Sequence, residues 1–280
     1  IKKKFTKRSI LISFGGGVLG DICALAASLY HRGIIYFYVP STMTSIIDSC
    51  IGGKTGINYK NIINSVGNYY HAKSVFIFKT VISDLPEREY LSGISEILKC
   101  GLIKKNKIIR SLQNKQEEII NRDWKVLKEI ISETLKTKIY YFKNDIYEND
   151  ERLCLNFGHT FAHSIEMATE KLSRKEILRH GEAVGIGILC EMMLSSMKKN
   201  KLFLMTEKIL KNYNLPVSLT YYNQKYNKQK LVDEIYKGVF LDKKKLNKYP
   251  RYINLKKIYK PKISEIEDTG KILEVLKLFI

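Results

Sequence analysis

Three of the five histidines lie close together, at positions 159, 163 and 180. His159 and His163 are four apart in Asn156-Phe-Gly-His-Thr-Phe-Ala-His163, so a helix opened by Gly158 places both imidazoles on one face. That spacing suits zinc. It suits equally well a pair of core histidines engaged in hydrogen bonds, and the pattern alone does not separate the two. His180, at the head of a further apolar stretch, tilts the reading toward a metal. Asn156 adds a carboxamide just ahead of a helix N-terminus, a place that already attracts anions.

A second set of charges sits where charges are unusual. Glu96 and Lys99 are three apart within the mostly apolar run Gly93-Ile-Ser-Glu-Ile-Leu-Lys-Cys-Gly-Leu-Ile103. A surface ion pair is the ordinary explanation. Charges among apolar neighbours are otherwise partnered by each other, by a metal or by a ligand. A carboxylate at 96 with neutral imidazoles at 159 and 180 forms a three-ligand site with an open position, the arrangement of catalytic zinc. Lys54, Lys99, Lys138, Arg152 and Asn156 supply basic and polar groups suited to a substrate carrying phosphate and carboxylate.

The elements that must hold these residues are of two kinds. Residues 10–14 read as a short buried strand, followed by Gly15-Gly-Gly-Val-Leu-Gly20-Asp21 and an apolar helix to about residue 30. Gly15, Gly17 and Gly20 satisfy GxGxxG, in the strand–turn–helix context where backbone amides cradle a pyrophosphate. The next strand, 34–39, ends in Pro40-Ser-Thr with no carboxylate, so a nucleotide site is expected but not a standard Rossmann domain. Gly52-Gly-Lys-Thr55 fails as a P-loop because Asp48 stands where its first glycine belongs. What remains is a flexible glycine loop that either presents Lys54, Lys60 and Asn61 to an anion or forms a solvated turn.

A strand at 75–78 and a helix opened by Pro86 close this part. Beyond it the pattern is helical, at roughly 106–121, 123–145, 159–171, 180–199, 202–213 and 228–238, with loops expected at 222–230 and 243–260. The expected architecture is α/β: residues 1–85 a partial NAD-binding α/β domain truncated at its start, and 86–280 a mainly helical metal- and substrate-binding domain.

Composition narrows the class. No apolar run approaches the ~20 residues of a membrane span and no leader opens the chain, so a cytoplasmic protein without membrane contact is expected. The chain opens on Ile1 in a basic run that leads straight to a strand, so an upstream piece is expected to be missing. Five scattered cysteines without CxxC argue against both disulfides and a cysteine zinc site. The formal charge of +20 accompanies an excess of Ile, Asn and Tyr, as AT-rich codons produce, so nucleic-acid binding is not expected. A positive field favours a small anionic substrate.

On these motifs the chain resembles the 3-dehydroquinate synthase family, within the sugar-phosphate cyclases. The likeness runs in order through Gly15 to Asp21, Arg32-Gly33, Asp48-Ser49, Gly52 to Gly56, Lys60-Asn61, Leu85 to Glu89, Glu96-Ile-Leu-Lys99, Asn156 to His163, His180 to Val184 and Asp242-Lys-Lys244. The resemblance implies that Glu96, His159 and His180 hold a divalent metal, zinc or cobalt, and that His163 is not a ligand. It implies an NAD site at Gly15, Gly16, Gly17, Val18, Asp21, Ser41, Thr42, Asp48 and Lys60. Catalytic contacts would come from Lys54, Lys99, Lys138, Arg152, Asn156 and His163, and substrate contacts from Asp48, Asn61 and Lys243 or Lys244. Arg32 resembles the arginine that one protomer of a homodimer lends to its partner's site.

The implied reaction converts 3-deoxy-D-arabino-heptulosonate 7-phosphate, a small anionic sugar phosphate, to 3-dehydroquinate and phosphate, with NAD as a catalytic cofactor. The chain departs from the family pattern in several places. It lacks the stretch upstream of the glycine turn that supplies adenosine-side contacts, which implies weak NAD binding by this piece. The segment between Lys54 and Lys60 is short, that between His163 and His180 is long, and Asp84 replaces a threonine. The alternatives are a related sugar-phosphate cyclase, a polyol dehydrogenase, or a non-catalytic remnant retained as a binding module.

Overall fold

The computed structural model describes residues 4–60, 62–220, 227–241 and 249–280; Asn61, Lys243 and Lys244 lie outside them. Strand β1 (Ile10–Gly15) feeds helix α1 (Gly17–Leu29), and β2 (Ile35–Pro40) returns parallel to β1, with Ile10 opposite Ile35 and Gly15 opposite Pro40. The third strand, β5 (Ser74–Val75), extends the parallel order to β1-β2-β5. Alternation along β2 turns Tyr36 and Tyr38 toward α1, both buried. The Tyr36 hydroxyl donates to Gly20 O at 3.1 Å and lies 2.8 Å from Ser13 Oγ, tying strand to helix.

β1 departs from the buried strand expected of it. Ser13 faces α1 and is 2% exposed, whereas Ile10, Ile12 and Phe14 on the other face are 54, 65 and 63% exposed. Among the described residues β1 pairs with β2 alone, so it is an edge strand with one face covered. The expected strand at 75–78 stops at Val75; Phe76 N still donates to Tyr38 O at 2.9 Å before the chain turns into α2 (Lys79–Ser83).

The stretch expected as a flexible glycine loop is instead a hairpin, β3 (Lys54–Tyr59) with β4 (Ile62–Tyr69), in which Gly56 pairs with Gly67. Thr55 holds the register by donating its hydroxyl to Asn68 O and accepting from Asn68 N, both at 3.0 Å. Glycine-rich sequence hid the pairing because the order comes from Thr55 and Asn68, well apart along the chain.

The remainder is mostly helical: α3 (Glu87–Ser92), α4 (Ile94–Ile103), α5 (Asn106–Asn114), α6 (Gln116–Ile120), α7 (Trp124–Asn144), α8 (His159–Ser173), α9 (His180–Ser196), α10 (Lys201–Asn212), and the helices Lys228–Leu241 and Gly270–Phe279. Asp123 caps α7, accepting from Val126 N at 2.9 Å. Two of the expected helices are broken in two, the one opened by Pro86 at Gly93 and the one over 106–121 at Lys115. The region read as loops also contains order: residues 228–230 open a helix, and β6 (Arg251–Asn254) pairs antiparallel with β7 (Lys262–Glu265). Ile253 N there donates to the buried Glu191 carboxylate at 2.8 Å, a tertiary anchor that lysine-rich neighbours conceal in sequence.

The main core gathers α4, α8 and α9, and it also takes Met43, Ile46 and Ile47 from beside and within the π-helical turn Ser45–Ser49. Burying a side chain of that size contributes about 1.5–3 kcal/mol. The turn that carries Asp48 is thereby anchored against the helices. A smaller cluster around Ala24, Tyr36, Tyr38 and Cys50 holds the sheet to α1. No helix among the described residues is long and apolar enough to cross a membrane.

Candidate active site

Gly158 has φ of 85°, a left-handed conformation that a side chain disfavours, and it serves as the N-cap of α8. The helix therefore starts at His159, with His163 one turn on and Glu166 two turns on, all on one face. His180 opens α9, whose first turn is fixed independently. Glu182 accepts from Arg179 N at 2.8 Å, and Arg88 donates to both Glu182 oxygens at 2.7 Å. Glu96 reaches these imidazoles from α4 and is 1% exposed.

Among the described residues Glu96, His159 and His180 form a group whose ligand atoms all lie within 4.8 Å of one another. Glu96 Oε1 is 3.4 Å from His159 Nε2 and 3.5 Å from His180 Nε2. Neither buried oxygen of Glu96 makes a well-directed hydrogen bond, although the Lys99 ammonium lies against Oε2. Ligands about 2.0–2.1 Å from a tetrahedral zinc stand roughly 3.3–3.4 Å apart, so the three residues fit a divalent ion in spacing and in donor type. His163 is outside this group, its ring centre 5.4 Å from that of His159 and 6.1 Å from that of His180.

Burial and neighbouring charges set the protonation of the three groups differently. Burial works against charge on His180, yet the hydrogen bond to Glu166 and the nearby Glu96 carboxylate overturn it and push the imidazole up to about 10. Burial, and then the Lys99 ammonium, push His159 down to about 4. Burial alone raises Glu96, but Lys99 and His159 hold it well below the usual carboxylate range.

Beside this group the expected cations converge, the three lysines matched by acids and Arg152 by backbone carbonyls. Lys138 donates to Asp48 Oδ1 at 2.5 Å and to the Asp48 carbonyl, and Lys99 lies 3.7 Å from the same carboxylate. Burial raises Asp48, and the two ammonium groups outweigh it to leave its pKa at about 2. Lys54 pairs with Glu148, whose other oxygen accepts from Asn156 Nδ2 at 2.7 Å. Arg152, 4% exposed, donates to Ile146 O at 2.6 Å and to Gly52 O at 2.9 Å, clamping the base of the hairpin to the 3-10 turn Glu151–Asn156. Sequence reasoning missed Glu148 and Glu166. The signal for Glu166 was its helical spacing from His159 and His163; Glu148 enters only through the tertiary contact with Lys54.

Of the expected nucleotide residues, Gly15 to Val18, Ser41 and Thr42 meet at the carboxyl ends of β1 and β2, whereas Asp48 lies with Lys138 and Lys60 stands at the far end of β3. Gly16 is the N-cap of α1, and a side chain there would come within 3.2 Å of Thr42 Cγ2. Ser41 N donates to Gly15 O at 2.9 Å, and Val18 is 78% exposed. This leaves a cradle of backbone amides that fits the phosphates of a dinucleotide. Lys60 and Arg32 stand on exposed turns with left-handed φ of 47° and 64°. A cavity of about 210 Å³ adjoins Asp21, lined also by Ser49, Lys54, Tyr36, Tyr38 and His71; it does not reach Glu96, His159 or His180.

Burial, and then the charge of Asp48, push Asp21 up to about 6 from an ordinary 3.8. The folded chain thus prefers a neutral Asp21. The stability this gives is complete below about 3.8 and is lost as pH rises through about 6. Asp21→Asn should accordingly be more stable than the parent by about 2–3 kcal/mol at pH 7.5, with the gap closing by pH 4. Urea titrations across that range measure it, and a gap that does not vary with pH would contradict the assignment.

Comparison with known proteins adds the family context. Residues 1–92 match the family model described as 3-dehydroquinate synthase N-terminal, and residues 93–245 the one described as 3-dehydroquinate synthase C-terminal. The chain is 38% identical over 271 residues to a 3-dehydroquinate synthase of Dictyoglomus thermophilum, an alignment covering 97% of this chain and 74% of that protein. It is 43% identical over 188 residues to that of Dictyoglomus turgidum, covering 67% of this chain and 52% of that protein. The chain thus spans between about half and three quarters of these relatives.

Two solved structures share the fold. A 2-epi-5-epi-valiolone synthase from Streptomyces hygroscopicus subsp. jinggangensis with NAD+ and Zn2+ bound superposes with a TM-score of 0.81 at 23% identity, over 97% of this chain and 73% of that one. A 2-deoxy-scyllo-inosose synthase complexed with carbaglucose-6-phosphate, NAD+ and Co2+ gives 0.83 at 23% identity, over 100% and 76%.

Proposed function

The chain belongs to the 3-dehydroquinate synthase family, and on that premise we propose that it carries the family's reaction. A heptulosonate 7-phosphate is converted to 3-dehydroquinate and phosphate, by a phosphate-eliminating lyase that depends on NAD and a divalent metal. The observation that carries this reading is the Glu96, His159 and His180 group set beside Lys99, Asp48 and Lys138. Glu96, His159 and His180 would hold zinc or cobalt, which supplies a Lewis acid for a substrate hydroxyl. The turn at Gly15, Gly16, Gly17 and Val18, with Ser41, Thr42, Asp21, Asp48 and Lys60, would hold NAD, which supplies reversible hydride exchange.

The protein's own groups then bind and move protons. Lys54, Lys138, Arg152 and Asn156 receive the phosphate and carboxylate, and to do so Lys54 and Asn156 exchange Glu148 for the substrate's anion. Lys99 stays between Glu96 and Asp48 and keeps the negative charge of the site in balance. His163, adjacent to the two proposed imidazole ligands, takes and returns the proton that phosphate departure requires. Asn61, Lys243 and Lys244 complete the substrate contacts in this reading. A homodimer in which Arg32 reaches the partner's site belongs to it too.

Incubation of the full-length protein with 3-deoxy-D-arabino-heptulosonate 7-phosphate, NAD and zinc or cobalt tests the proposal. Equimolar phosphate and 3-dehydroquinate should appear with no net NADH, because the hydride is returned. Accumulating NADH would point instead to a polyol dehydrogenase, and no turnover to a non-catalytic remnant.

A further inference from the structure

We propose that Glu166 is a positioning residue for His180: its carboxylate accepts the Nδ1 proton and so holds the ring with Nε2 turned toward Glu96 and His159. The inference rests on the metal reading of that group given above. His180 Nδ1 lies 3.0 Å from Glu166 Oε1, while Nε2 on the opposite edge lies 3.5 Å from Glu96 Oε1. An ionised carboxylate only accepts, so the hydrogen must sit on Nδ1. When a metal displaces the Nε2 proton, the ring is left neutral with its lone pair at Nε2, the form a metal requires.

The placement of Glu166 supports this role over a general structural one. It lies on α8, the helix that carries His159, so one rigid element delivers both a ligand and the group that orients a second ligand. The backbone at His180 is secured elsewhere, by the contacts of Glu182 with Arg179 N and the Arg88 fork. What those contacts leave free is rotation of the imidazole. A ring turned over would present carbon where Nε2 now stands, and Glu166 removes that freedom.

The test uses the full chain loaded with Co2+, read by its visible absorption and by release of the ion to EDTA, with thermal unfolding of the metal-free protein as control. Glu166→Ala should bind Co2+ about 10- to 100-fold more weakly, with an altered spectrum and an unchanged metal-free melting temperature. Glu166→Gln, whose amide oxygen can still accept from Nδ1, should recover part of the loss. Wild-type affinity and spectrum in Glu166→Ala overturn the proposal alone. A lowered metal-free melting temperature in both variants makes Glu166 structural and overturns it as well. A parent protein that takes up no cobalt overturns the metal reading and this inference with it.

Discussion

His159→Ala is expected to strip the chain of its divalent ion, whereas His163→Ala should keep it. Spacing makes the two imidazoles equivalent, but Glu96 Oε1 lies 3.4 Å from His159 Nε2, and the close group it forms with His180 leaves His163 out. Three protein ligands leave a position for substrate, and a fourth would close the site. Removing His159 leaves two donors, one of them at a helix terminus, too few for tight retention. Removing His163 should preserve metal content and substrate affinity while slowing turnover about 10²- to 10⁴-fold, the usual worth of general acid–base help. Metal analysis after dialysis, with steady-state kinetics on both variants, decides it. Equal metal loss from the two would make His163 a ligand and sink the assignment.

A comparably large effect should follow from Lys99→Met, this time on stability. Lys99 and Glu96 are each 1% exposed and in contact. Burial opposes the charge on Lys99, but Glu96 and Asp48 outweigh it and raise its pKa. Without the ammonium, Glu96 keeps a buried negative charge that His159, held neutral, does not balance and that His180, shared with Glu166, balances only in part. Breaking a buried pair on one side costs about 3–5 kcal/mol. Asp48 suffers less because Lys138 still holds it. Since a divalent cation neutralises the same carboxylate, the deficit should shrink when zinc is present. Urea unfolding with and without zinc reads both quantities. A metal-free variant within about 1 kcal/mol of the parent would show that Glu96 is compensated by other means.

The site was legible in sequence wherever one local element carried the information. The spacing of His159 and His163, opened by a glycine, sufficed to place them together on α8, and the apolar run around Glu96 and Lys99 set partnered charges against the ordinary surface pair. Legibility failed where order came from distant partners. The hairpin from Lys54 to Tyr69 is held by Thr55 and Asn68, and β6 is held through Glu191, and no local pattern reports such pairs. Glu148 was passed over for the same reason, since nothing near it in the chain reveals Lys54 as its partner.

By itself, then, the sequence determined which chemical groups are available and the local geometry that spaces them: imidazoles one helical turn apart, a glycine turn between strand and helix, and acids and bases in apolar runs. Those properties depend on backbone periods of a few residues, which any chain with this order of side chains must obey. Only the tertiary structure decided which imidazole meets Glu96, which acid neutralises each lysine, and which face of β1 is covered. These are settled by how α4, α8 and α9 pack and by where the turn Ser45–Ser49 enters their core, because direct charge contacts act over a few ångströms and the chain brings such partners together only on folding.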